Sequence, residues 1–127
     1  MTNQRVMVCG ADGQLGRELQ LTQPPGIEAV PVNRHGLDIT DASAVERALV
    51  ETGARVVING AAYTAVDRAE SDSESAHAVN ATGPAILADC CAAHGARLLH
   101  VSTDFVFDGA SGRAYRPDDE ANPLGIY

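Results

Sequence analysis

Arg5-Val6-Met7-Val8-Cys9-Gly10-Ala11-Asp12-Gly13-Gln14-Leu15-Gly16 is the stretch on which the fold turns. A short apolar run meets three glycines spaced G-x-x-G-x-x-G, and Gln14-Leu15-Gly16-Arg17-Glu18-Leu19 continues at helical spacing. Strand, tight turn and helix start, in that order, make a phosphate cradle. Glycine lets the backbone turn sharply and lie close to a pyrophosphate. The free N–H groups of a helix start, with the helix dipole behind them, then hold the anion. Three glycines alone also occur in plain tight turns; the strand before and the helix after favour the cradle, with Gly10, Gly13 and Gly16 as its glycines.

Outward from this motif, strands and helices alternate. Val6 to Cys9 reads as the first strand and Gln14 to Leu21 as the first helix, which Gln23-Pro24-Pro25-Gly26 stops because proline cannot continue it. Ile27 to Val32 reads as the second strand. Asp41 caps a helix through Glu51, with Val45, Ala48 and Leu49 on one face, and Gly53 ends it. Arg55-Val56-Val57-Ile58-Asn59 reads as a third strand, apolar enough to be buried on both faces. A long helix from Asp72 to Ala93 follows, its buried stripe marked by Ala76, Val79, Gly83, Ile86, Leu87 and Cys90. Pro84 inside it cannot donate to the carbonyl of Asn80, so a kink or a local hydrogen-bond repair is expected. Asn80 beside the apolar face reads as a cap or bridge to a neighbouring loop rather than as a reacting group. Arg97 to Val101 is the fourth strand, and Gly109 to Asn122 is polar and loop-like.

This alternation implies a doubly wound, Rossmann-like parallel sheet with right-handed crossovers. That fold runs 3-2-1-4-5-6, so the strands present are expected in the order 3-2-1-4, with strand four as an open edge. The sheet would then be a truncated one.

Composition narrows the function. The chain has 127 residues, a net charge of −8, 45% hydrophobic and 20% charged residues. That is a globular composition about one domain in size. An acidic surface repels nucleic acid. No apolar run approaches the ~20 residues of a membrane span. The N-terminal run, Met1-Thr2-Asn3-Gln4-Arg5 and the strand after it, is too brief for a signal peptide, which leaves the cytoplasm as the expected location. All nine basic residues are arginine, so chemistry that needs a lysine cannot be complete within this chain. Cys9, Cys90 and Cys91 are an odd number with no C-x-x-C, which argues for buried thiols over disulfides or zinc. His35, His77, His94 and His100 have no ligand spacing, and no metal site is expected.

Dinucleotide folds often carry an acid about 20 residues past the glycines, bound to the ribose 2′-hydroxyl. Here Val32-Asn33-Arg34 stands instead. Arg34 suits a 2′-phosphate, because a guanidinium makes bidentate contacts to phosphate, and so favours NADPH over NADH. A solvated surface arginine is the alternative. Asp38 can accept from an adenine amino group or serve the turn before the next helix. Small residues in Asn59-Gly60-Ala61-Ala62 allow a ligand close to the backbone at the end of a strand. Asp67, Arg68 and Glu70 read as residues that position the loop and the next helix rather than react. Ser102 and Thr103 sit where strand ends meet the ligand crevice. A hydroxyl at Thr103 and a phenol at Tyr127 could together polarise a carbonyl, with the phenol as proton donor. An unperturbed phenol has a pKa of ~10 and needs a nearby positive charge to work near neutrality.

The glycine motif, NGAAYTAVDRAE from Asn59 to Glu70, STDFVFDG from Ser102 to Gly109 and NPLGIY from Asn122 to Tyr127 resemble the extended short-chain dehydrogenase/reductases. Within them they are most similar to the dTDP-4-dehydrorhamnose reductase family, and the resemblance covers essentially the whole chain. It implies catalysis by a Thr, a Tyr and a Lys four residues after the Tyr. Thr103 and Tyr127 match; the lysine would fall beyond the last residue. It implies cofactor contacts at Gly13, Gln14, Leu15, Asp38, Ile39, Ala62, Tyr63, Thr64 and Val101, and substrate contacts at Thr103 and Asp104. It implies a nucleotide-sugar substrate, NADPH as cofactor with NADH as the alternative, and a homo-oligomer. The implied reaction reduces the 4-keto group of dTDP-6-deoxy-L-lyxo-4-hexulose to dTDP-L-rhamnose. A C-terminal substrate domain is also implied and has no counterpart here. Residues 1–127 are thus expected to be a dinucleotide-binding domain incomplete at its C-terminal end, inactive alone. A non-catalytic dinucleotide-binding regulatory module and a sugar-nucleotide epimerase or dehydratase are the alternatives.

Overall fold

β1, Gln4–Cys9, lies inside a parallel sheet in the computed structural model, which describes residues 3–127. Met1 and Thr2 of the N-terminal run lie outside the described residues. Val6, Met7, Val8 and Cys9 are all buried. Successive side chains of a strand point to opposite faces, so such a run needs cover on both. Met7 and Cys9 join one core cluster with Leu37, Ile39, Val45, Leu49, Val57, Leu87 and Cys91. Val6 and Val8 point the other way. α1, Gln14–Leu21, packs on β1 and on β2, Ile27–Val32, while α2, Ala42–Thr52, packs on β1 and on α5, Gly83–Ala93.

The sheet is doubly wound, parallel and Rossmann-like, but its strand order corrects the expected 3-2-1-4. Among the described residues it runs β2-β1-β3-β4. β3, Val56–Asn59, pairs with β1 (Val8 opposite Ile58), and β4, Arg97–His100, pairs with β3 (Ile58 opposite Leu99). After β2 the chain makes only turns and α2 before re-entering the sheet on the far side of β1. No strand takes the outer place beside β2, so the third strand in sequence fills the place expected for the fourth. Right-handed crossovers put α1 on one face, because the chain moves outward from β1 to β2. They put α2 and α5 on the other, because the chain then moves back across to β3 and β4. The reversal falls between β1 and β3, which is where such sheets open a crevice.

β3 was expected to be buried on both faces and is covered on one. Val57 and Asn59 are buried, whereas Val56 and Ile58 are half-buried. On β4, Leu98 packs against the core while Leu99 is 55% exposed. α5 packs on β4, and Leu98 is the β4 residue that joins its core.

The expected long helix is three pieces: α4, Ser73–His77, a π-helical turn, Ala78–Thr82, and α5. The Gly83 N–H reaches the Ala78 carbonyl across the wider turn. This is the repair expected ahead of Pro84, whose ring nitrogen has no proton to give. The inserted residue also turns the following face, so Cys91 rather than Cys90 is buried with Leu87. A Cβ on Gly83 would lie 2.6 Å from Cδ1 of Ile39, which is why the helix can sit this close to the segment entering α2. Asp41 caps α2 by accepting from the Ala44 N–H at 3.1 Å, and Gly53 closes it at φ +62°. From Val101 onward the chain is irregular apart from a 3-10 turn, Asp104–Val106.

Candidate functional site

The ends of β1 and β3 meet at the glycine loop. Gly10 has φ +74°, and a Cβ there would lie 2.6 Å from the Ala61 nitrogen and 2.7 Å from the Gly60 carbonyl carbon. A Cβ on Gly16 would collide with the Gly10 carbonyl oxygen and lie 2.7 Å from Cα of Ala11. α1 therefore sits directly on the loop, and only glycine permits it at either position. Gly13 is the N-cap of α1 and gives its own N–H to the Gly10 carbonyl at 3.0 Å. No side chain caps the first turn of α1, in contrast to Asp41 on α2, and no acid lies in that turn. Uncapped first-turn N–H groups at the positive end of a helix dipole fit a phosphate. Gln14 opens α1 on the exposed side, and Leu15 reaches toward Gly60 across the crevice.

The end of β2 forms a second wall. Ala11 donates to the Val32 carbonyl at 3.2 Å, which ties the glycine loop to the segment that follows. Asn33 accepts from the N–H groups of His35 and Gly36, both at 3.1 Å, and fixes a turn that leaves Arg34 exposed beside that junction. Asp38 is engaged locally: its Oδ1 accepts from the Thr40 N–H at 2.9 Å and the Thr40 hydroxyl at 2.7 Å. The Thr40 hydroxyl, then its N–H, hold the Asp38 carboxyl below its ordinary range. The turn role of Asp38 is thus realised. Ile39 is buried in the core, so its side chain does not face the crevice.

At the end of β3, Asn59 is fully buried and satisfied. Its Oδ1 accepts from the Ala61 N–H at 3.0 Å and its Nδ2 lies 3.1 Å from Nδ1 of His100. Ala62, Tyr63 and Thr64 follow as irregular chain held from above by the π-turn. Asn80 accepts from the Tyr63 N–H at 2.8 Å and donates to the Tyr63 carbonyl at 3.0 Å. That is the loop bridge expected of Asn80. The Tyr63 hydroxyl donates to Asp72 at 3.1 Å, and burial, then this carboxylate, raise the phenol above its usual range. Val101 donates to the Asn59 carbonyl at 3.2 Å and is partly exposed.

Beyond β4 a cavity of about 630 Å³ opens between α3, Val66–Ala69, and the last residues of the chain. Asp104 and Tyr127 both line it. Thr103 is next to Asp104, and its hydroxyl accepts from the Phe105 N–H at 3.2 Å to start the 3-10 turn. Phe105 meets Tyr127 edge-on, with centroids 5.5 Å apart at 81°. Phe107 stacks on Tyr115 at 4.2 Å. Asp108 gathers the loop by accepting from the Ala110 N–H at 2.9 Å, the Tyr115 hydroxyl at 2.8 Å and Asn122 at 3.0 Å. These bonds hold its carboxyl below the ordinary range. A cavity with apolar aromatic walls and a few convergent polar groups is the usual form of a small-molecule site.

The sequence reading brought Asp104 and Tyr127 to this place but missed the walls: Val66, Phe105, Phe107, Tyr115 and Leu124. A signal was there, because four of the chain's five aromatic residues fall in its last 23 positions. Cys9 and Cys91 are buried and Cys90 is half-buried, and burial raises all three thiols. Burial, then Cys91, push the Cys9 thiol up to about 12. Among the described residues no cluster of His, Cys, Asp and Glu could hold a metal ion, and no helix is long and apolar enough to cross a membrane.

Comparison with known proteins matches this architecture. A family model described as the RmlD substrate binding domain fits residues 4–127. The dTDP-4-dehydrorhamnose reductase of Streptomyces griseus is 49% identical over 124 residues, which is 97% of this chain and 41% of that protein. That of Mycobacterium tuberculosis is 49% identical over 130 residues, covering 98% of this chain and 42% of that protein. A crystal structure of dTDP-4-dehydrorhamnose reductase from Bacillus anthracis in complex with NADP superposes with a TM-score of 0.95 at 36% identity, over 99% of this chain and 45% of that one. The chain spans less than half the length of these relatives.

Proposed function

We propose, from the premise that the chain belongs to the RmlD substrate binding domain family of dTDP-4-dehydrorhamnose reductases, that it is the NADPH-binding portion of such a reductase. The complete protein would reduce the 4-keto group of dTDP-6-deoxy-L-lyxo-4-hexulose to dTDP-L-rhamnose. The observation that carries this reading is the glycine cradle at the β1–β3 reversal, where three backbone segments meet with no room for a Cβ and the helix start is left uncapped. The uncapped helix start suits a pyrophosphate by its chemistry.

Around that anchor, Gly10, Gly13, Gln14, Leu15 and Gly16 would hold the pyrophosphate. Arg34 would take the 2′-phosphate, with Asp38 and the backbone of Ile39 beside the adenine. Ala62, Tyr63, Thr64 and Val101 would line the path toward the nicotinamide. Bound NADPH supplies the hydride. Tyr127 donates the phenolic proton to the carbonyl oxygen of the sugar, and the Thr103 hydroxyl polarises the same oxygen. Asp104 holds the sugar by accepting from its hydroxyls. In this reading the Thr103 hydroxyl goes on accepting from the Phe105 N–H and turns its own proton from Oδ1 of Asp104, 3.4 Å away, to the substrate. The 127-residue polypeptide by itself has no lysine to complete the set. It is expected to bind cofactor without turnover, since removing one member of a cooperating constellation costs orders of magnitude in rate.

Titration of the chain with NADPH and with NADH tests this. Saturable binding with NADPH the tighter ligand supports the reading. Absence of binding to either cofactor by the folded chain would remove it.

A further inference from the structure

Glu70 stands at the C-terminal end of α3, beyond the fully buried Ala69, which fixes that turn in the molecule. Its Oε1 accepts from the Ile126 N–H at 2.8 Å, a bond that spans 56 residues. Ile126 immediately precedes Tyr127. Gly125 comes next to the same carboxylate, and a Cβ there would lie 3.0 Å from Oε1, so glycine leaves the bond undisturbed. The chain around Tyr127 has few other ties. Phe105 touches the ring edge-on, and Asn122 gives its N–H to the Val106 carbonyl at 2.8 Å. Between Asn122 and Tyr127, Glu70 supplies the hydrogen bond that joins this segment to the helical part of the fold.

The start of α4 reaches the cofactor loop. Asp72, two residues past Glu70, accepts from the Tyr63 hydroxyl at 3.1 Å and through its carbonyl from Ala76 at 3.1 Å. The short link from the end of α3 to the start of α4 therefore contacts both Tyr63, through Asp72, and the Tyr127 segment, through Glu70. Nothing about Glu70 requires it to exchange a proton: it has an acceptor's task, and reach decides whether it can perform it.

We infer that Glu70 is a positioning residue for the proposed reaction: its carboxylate oxygen fixes the backbone at Ile126 and thereby sets where the Tyr127 phenol sits in the cavity. This rests on the reading of Tyr127 as the proton donor. Misplacing a reacting group by about 1 Å can cost about 100-fold in rate, so losing the anchor falls on kcat rather than on cofactor affinity.

Two variants in the full-length reductase separate reach from charge. Glu70→Asp keeps the charge but is one methylene too short; Glu70→Gln loses the charge but keeps an acceptor oxygen at the same reach. Glu70→Asp is expected to lower kcat at least about 10-fold, with the KM for the sugar nucleotide and the Kd for NADPH changed less than about three-fold. Glu70→Gln is expected to restore kcat to within about three-fold of the parent. The reverse pattern, an active Asp variant and a crippled Gln variant, would mean that charge matters and would overturn the inference. Equal kcat in the parent and both variants would overturn it as well. Tyr127→Phe in parallel distinguishes this failure from that of the premise: a fully active Tyr127→Phe variant removes the proton-donor reading itself, whereas an inactive one beside a normal Glu70→Asp variant removes only the role of Glu70.

Discussion

Arg34 is exposed on a turn that Asn33 fixes and that the Ala11–Val32 hydrogen bond holds against the glycine loop. If it receives the 2′-phosphate, the contact contributes roughly 1.5–3 kcal/mol as a charge-assisted hydrogen bond. Arg34→Ala is therefore expected to weaken NADPH binding about 10- to 100-fold and leave NADH nearly unchanged, as read by titration of both cofactors. Equal affinities that Arg34→Ala does not alter would make Arg34 a surface residue. In the complete enzyme, Thr103→Val is expected to lose less activity than Tyr127→Phe, because it removes a polarising bond and not the acid; steady-state kinetics of the two variants compare them. The sequence made these residues visible because each stands at a strand end or at a motif position. It left the role of Asp38 open, since a carboxylate before a helix serves a ligand or a turn equally well, and the contact with Thr40 is too local to leave a pattern. Ile39 shows the same limit. Its burial depends on Gly83, far along the chain.

The strand–loop–helix unit at the N-terminus was legible because all its determinants are local: apolar run, glycine spacing, helical period. Its packing gives a sharp test. A methyl at residue 16 would run into the Gly10 carbonyl and Ala11, both backbone, so neither can give way cheaply. Gly16→Ala is expected to destabilise the chain by roughly 1–3 kcal/mol, the range for overpacking, as measured by urea unfolding, and to weaken cofactor binding as well. An unchanged midpoint with normal binding would mean that α1 can lift off the loop. The break at Pro84 was also legible, since a missing N–H demands a repair, and the π-turn is that repair. Strand order was not. Pairing is non-local, and nothing within Val56–Asn59 says which neighbour it takes. The missing strand beside β2 showed only as an interval holding one helix and turns. The last 27 residues lack a regular period, so the cavity they enclose was invisible despite their aromatic content.

At the scale of the whole molecule, β4 is an edge of the sheet among the described residues, with Leu99 55% and Val101, just past it, 44% exposed. Unpaired strand edges template pairing with another chain. The 127-residue polypeptide is expected to self-associate through β4, and Val101→Lys to shift it toward monomer, in sedimentation equilibrium over a range of concentrations. A stable parent monomer at high concentration would refute this. In the proposed reaction on a nucleotide sugar, the cradle would hold NADPH and the Tyr127 phenol would protonate the oxygen that hydride transfer creates. The most direct measurement of that reaction follows NADPH oxidation and product formation with dTDP-6-deoxy-L-lyxo-4-hexulose in the full-length protein that carries this chain, beside its Tyr127→Phe variant. The account predicts one dTDP-L-rhamnose formed for each NADPH consumed, and turnover abolished by Tyr127→Phe with NADPH binding nearly intact. No NADPH consumption by the folded parent, or a Tyr127→Phe variant turning over at the parental rate, would contradict it.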